Sequence, residues 1–218
     1  MAQLVELTPR VAPPTTRERE RLARRARLLA WGGNAWHLIE FGIAIGAGIA
    51  AGSIALIGFG ADSLIEALSG LVIVWRFSGA RLHSATAERR AQQLVAASYF
   101  VLAAYVGAGS VHDLTTGYKP GVSLIGIGLA VVTAPTMPLL ARAKRQVGRE
   151  LSSSATVSEA NQNMICAYLS LALLVGLLAN AVAGWWWADP AAALIIAAAA
   201  AGEGRASWRG DGCAGGCC

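Results

Sequence analysis

The sequence predicts an all-α membrane protein: a six-transmembrane-helix bundle with both termini cytoplasmic. Three observations predict it. The chain is 55% hydrophobic and only 14% charged, against about 25% charged residues in a soluble domain. Its apolar residues gather into runs of the roughly 20 residues a helix needs to cross a bilayer. Its basic residues fall between those runs, almost all on one side. That placement explains the net charge of +5 by orientation in a membrane rather than by a nucleic-acid surface.

Residues 1–27 form a basic cytoplasmic segment, 28–204 the membrane domain and 205–218 a short Cys-rich cytoplasmic tail. The charged start of the chain and the long apolar run after it do not fit a signal peptide, so the first span serves as its own insertion signal. The predicted spans are 28–49, 53–75, 92–111, 121–140, 155–182 and 185–204. The first two are joined by the short run GIAAGS and should form an antiparallel hairpin. Gly42, Gly46, Gly48 and Gly52 have the small-residue spacing of close helix packing. Pro135 and Pro138 should kink or unwind the cytoplasmic end of the fourth span. Asp189-Pro190 has the form of an N-cap followed by a first-turn proline, so regular helix in the sixth span should begin there.

Seven arginines precede the first span, four follow the second, four basic residues follow the fourth and two follow the sixth. Of the eighteen lysines and arginines, Lys119 alone lies on the other side. The positive-inside rule therefore puts both termini in the cytoplasm, in the inner cell membrane. Trp185, Trp186 and Trp187 fall at the outer interface, where tryptophan belts occur.

Asp62 and Glu66 lie in the second span, one turn apart on one helix face. Each acid costs roughly 2.5–3.5 kcal/mol at a helix centre. Such groups persist mainly where they face a bundle interior, a partner or an ion path. No lysine or arginine falls in a predicted span, which leaves His37 as the one intramembrane counter-charge. Two stacked oxygen ligands point to a cation; the alternative is a pair that only hydrogen-bonds neighbouring helices.

The fifth span offers a matching face: Glu159, Gln162, Cys166 and Ser170, with Asn163 beside them. At 1.5 Å per residue, Glu66 lies roughly 15 Å and Asp62 about 21 Å from the inner face, against roughly 12 Å for Gln162 and about 18 Å for Cys166. Side by side, the two helices present two carboxylates, an amide oxygen and a thiol, enough for a tetrahedral site. Taken singly, Cys166 also reads as a small buried apolar residue and Gln162 as an interhelical hydrogen-bonding group.

Asn34, His37 and Glu40 share a stripe of the first span. His37 and Glu40, with Glu159, are candidates for lining a path or relaying protons; Asn34 and His37 also suit the inner interface. His112-Asp113 reads as a mouth site or a solvated loop. Cys213, Cys217 and Cys218 are candidates for metal capture in the tail, with palmitoylation or an inert end as rivals. No metalloprotease helix motif or serine–histidine pairing marks an enzyme, and no resident cofactor is expected. Stacked acids would hold a divalent ion too tightly for a channel.

The run Gly52-Ser53-Ile54-Ala55-Leu56 leading into Asp62-Ser63-Leu64-Ile65-Glu66 resembles the second span of the cation diffusion facilitator (cation efflux) family. That family has Asp-x-x-x-Asp there and His-x-x-x-Asp in its fifth span, where this chain has Gln162-x-x-x-Cys166. Asp189-Pro190 also resembles the family's entry to the sixth span. The resemblance implies a proton-coupled secondary transporter that exports a divalent transition metal, zinc first, and is commonly a homodimer. Its transport site would fall on Asp62, Glu66, Gln162 and Cys166. The implied partners are the ion, protons, the lipid bilayer and a second copy. The family's cytoplasmic C-terminal domain is expected to be missing, so a dimer would rest on the membrane helices or the termini. The rival readings are a membrane metal-binding or sensory protein that does not transport, and a scaffolding subunit whose polar residues only join helices.

Overall fold

The computed structural model describes residues 16–76, 85–151 and 154–209. Among them are six helices: α1 (Thr16–Ala51), α2 (Ile54–Arg76), α3 (Ala85–Thr116), α4 (Leu124–Glu150), α5 (Ser154–Ala183) and α6 (Ala188–Arg209). The fold is all-helical, and each predicted span has its helix. Three helical segments among the described residues are long and apolar enough to cross a membrane: Gln93–Thr116, Leu124–Glu150 and Glu159–Ala183. On the other three helices lie Glu40 (α1), Asp62 and Glu66 (α2), and Asp189 and Glu203 (α6).

The helices alternate in direction. Gly121 N–H donates to Ala51 O at 2.7 Å, Ser53 Oγ to Asp189 Oδ1 at 2.5 Å and Asn180 Nδ2 to Pro120 O at 3.0 Å. These bonds gather the α1–α2, α3–α4 and α5–α6 links at one end. Lys144 on α4 meets Glu159 on α5 towards the other. The longest packing seams join α4 to α5, α3 to α6 and α1 to α2; α2 also touches α3, α5 and α6. That position makes α2 the helix from which a side chain can reach several neighbours.

The α1–α2 hairpin follows from its small residues. Gly52 ends α1 at φ 65°, a left-handed conformation that glycine adopts without a Cβ clash. Ser53 then caps α2, its hydroxyl accepting from Leu56 N–H at 3.1 Å. Of the other hairpin glycines, Gly48 is a close-approach position: a Cβ there would lie 2.8 Å from Ile57 Cγ1. Gly60 is its counterpart on α2, 3.0 Å from Ala44 Cβ. Gly42 and Gly46 have open space beside them, so the seam is built from Gly48 and Gly60 rather than from the whole glycine series.

Two local expectations change. Helix α4 is not unwound at Pro135 and Pro138 and continues past the predicted span to Glu150; Thr136 Oγ1 returns a hydrogen bond to Val132 O at 2.6 Å. Asp189 does not cap its own helix. It lies inside α6, nearly fully buried, and accepts from Ser53 Oγ and, at 3.4 Å, from Ala55 N–H. It therefore closes the N-terminus of α2 across the bundle, where a carboxylate satisfies backbone donors that the helix leaves open.

Candidate metal centre

Helix α1 sets one wall. His37 and Glu40 are one turn apart and point inward; His37 Nδ1 lies 3.1 Å from Glu40 Oε2. Glu40 is fully buried, and its second oxygen accepts from Thr133 Oγ1 of α4. Helix α2 brings Glu66 to the same imidazole, with His37 Nδ1 3.2 Å from Glu66 Oε2. Helix α5 adds Cys166, fully buried, whose thiol donates to the Glu66 carboxylate.

The result is a cluster of one imidazole, one carboxylate and one thiol whose ligand atoms all lie within 4.8 Å of one another: His37, Glu66 and Cys166. These are the three donor types that bind zinc, and three protein ligands with an open fourth position is a recurring zinc arrangement. A thiol must lose its proton to ligate, so a proton and a metal would compete for such a cluster.

Glu66 also belongs to a second grouping. A cleft between α2, α3, α5 and α6 is lined by Asp62, Glu66, Tyr99, Gln162 and Glu203, with apolar residues around them. The four residues expected to form one site thus divide between two faces of Glu66. Asp62 and Gln162 share the cleft, and Cys166 sits in the cluster with His37. The imidazole expected as a counter-charge, a path or relay residue or an interface group stands among the candidate ligand atoms. Ser170 is engaged locally, donating to Cys166 O at 2.7 Å.

Lys144 is the group the sequence reading missed. Its four-carbon chain carries an ammonium into the bundle at 1% exposure. There it donates to Glu159 Oε1 at 2.8 Å and Asn163 Oδ1 at 2.9 Å. Glu159 is the partner of this buried cation. Gly33 makes the space, since a Cβ there would lie 2.8 Å from Lys144 Nζ. The signal available in sequence was the i, i+4 pair of acceptors Glu159 and Asn163, an unusual pair for an apolar face without a donor opposite. His112 and Asp113 lie in helix near the end of α3 rather than in a loop. Cys213, Cys217 and Cys218 lie outside the described residues.

No protein-family model matches the sequence. The chain is 23% identical over 173 residues to transmembrane protein 163 of Xenopus laevis, an alignment that takes in 79% of this chain and 60% of that protein. The chain thus spans about 60% of the length of the curated relative it matches. This likeness and the long apolar helices together support a membrane protein.

Proposed function

We propose that the protein is a six-span secondary transporter that moves a divalent transition-metal ion, zinc first, from the cytoplasm to the outside in exchange for protons. This is the activity of the cation diffusion facilitator family that its second span resembles. The observation that carries the reading is the cluster of His37, Glu66 and Cys166, with ligand atoms within 4.8 Å in the bundle interior. Unpaired charge is expensive there, and a divalent ion compensates it. His37 supplies from α1 the imidazole that the family has on its fifth span. Asp62, one turn from Glu66, is the further carboxylate on the cleft side, and Gln162 and Glu203 line the way to it.

The cycle follows from competition. Deprotonated Glu66 and Cys166 bind the ion; protons arriving from the outer side neutralise them and release it. The alternating helix directions and the gathering of basic residues on the side of both termini support six spans with both termini inside. The test is zinc flux into proteoliposomes driven by a pH gradient, for wild type, Glu66→Ala and Asp62→Ala. Wild-type flux lost in Glu66→Ala and strongly reduced in Asp62→Ala is expected. Equal flux in all three sinks the site.

Complete burial of Cys166 and near-complete burial of His37 favour one second reading, a membrane metal-binding or sensory protein. It expects tight zinc binding without flux in the same vesicles.

A further inference from the structure

Lys144 and Asn163 form a chain of hydrogen bonds behind the centre, and its polarity has one solution. An ammonium has three donors and no acceptor. The Asn163 atom 2.9 Å from Lys144 Nζ is therefore the amide oxygen. The amide nitrogen faces the other way, 3.1 Å from His37 Nε2 and 3.3 Å from Met137 Sδ. An amide nitrogen only donates, and both of its neighbours can accept. His37 Nε2 is then the bare nitrogen, and the neutral ring carries its proton on Nδ1, which faces Glu40 Oε2 at 3.1 Å and Glu66 Oε2 at 3.2 Å.

Nδ1 lies 3.2 Å from Glu66 Oε2 and is therefore the nitrogen placed to share an ion with Glu66. We propose that Asn163, oriented by Lys144, is a positioning residue that holds His37 in the tautomer closed to metal. Occupancy of the centre is thereby coupled to the Lys144–Asn163 contact. The ring keeps one proton throughout; only the nitrogen that carries it changes. With the ion on Nδ1 the proton is on Nε2, and Asn163 must turn its oxygen to accept it. Lys144 then loses that oxygen and keeps Glu159. Partners behind a ligating histidine commonly select its tautomer in this way. Here the partner selects the unloaded form, so filling the centre is felt between α4 and α5, where Lys144 lies.

The coupling rests on the metal reading of the centre; the tautomer assignment does not. The test is nitrogen NMR of the His37 ring in the full chain in lipid nanodiscs, without metal and with zinc, alongside zinc titration. Expected without metal is a protonated Nδ1 and a bare Nε2, reversed by zinc. In Asn163→Asp the carboxylate accepts from both Lys144 and Nε2–H. That ring should carry its proton on Nε2 before any zinc is added, and zinc should bind about tenfold more tightly, the low end of outer-partner effects. Lys144→Arg, which keeps an obligate donor, should leave the wild-type tautomer in place. A wild-type ring protonated on Nε2 without metal, or an Asn163→Asp ring unchanged from wild type, overturns the proposal. If the tautomers are as assigned but zinc binds no variant, the metal reading and the coupling fall while Asn163 keeps its positioning role.

Discussion

Lys144 makes the sharpest stability prediction. Removing one partner of a buried ion pair leaves the other charge without compensation, at a cost of about 3–5 kcal/mol. Lys144→Met should therefore lower the thermal unfolding midpoint in detergent strongly. Lys144→Met with Glu159→Leu should recover most of the loss, because no charge is then stranded. A double variant as unstable as the single one would contradict the pairing. Cys166 makes a different kind of prediction. Thiolate is the softest donor in the cluster and favours softer ions. On the proposed function, Cys166→Ser should weaken cadmium binding by more than it weakens zinc binding, read by competition titration. An equal loss for both ions would remove Cys166 from the ligand set. That Asp62 and Glu66 face the bundle interior was legible from sequence, because two acids in an apolar run are too costly to face lipid. Lys144 was not, because a lysine just past an apolar run ordinarily extends its ammonium to the interface.

Helix α2 is held at its start by a residue 136 positions away in sequence. Asp189→Ala would leave the Ser53 hydroxyl and the Ala55 N–H without their acceptor, a cap loss of about 0.5–2 kcal/mol. The expected result is a modest fall in unfolding temperature, with faster hydrogen exchange at the first turn of α2 and not of α6. Faster exchange confined to α6 would restore the local cap that its sequence suggests. Asp-Pro at a helix start is a local pattern, and its usual reading follows from local geometry. Here the α5–α6 link packs against the α1–α2 hairpin, and the carboxylate serves the neighbouring helix. In α4 the competition runs the other way. Two prolines remove two backbone donors, yet the helix persists to Glu150, and its long seam with α5 packs it on both sides of the prolines.

On the proposed topology, the bundle as a whole is testable by side. A cysteine placed at Lys119 should react with an impermeant thiol reagent added to intact cells, and one placed at Arg205 only after the membrane is opened. Labelling of both from one side would break the six-span arrangement. The sequence by itself determined the number and order of the helices, the ends at which charge collects and the height of each polar group along its helix. These depend on composition and on a fixed rise per residue. Only the tertiary structure decided which heights meet. Rise says nothing about how a helix is rotated against its neighbours, and that rotation set His37 beside Glu66 and Cys166, sent Asp62 and Gln162 to the cleft, and gave Lys144 two buried acceptors.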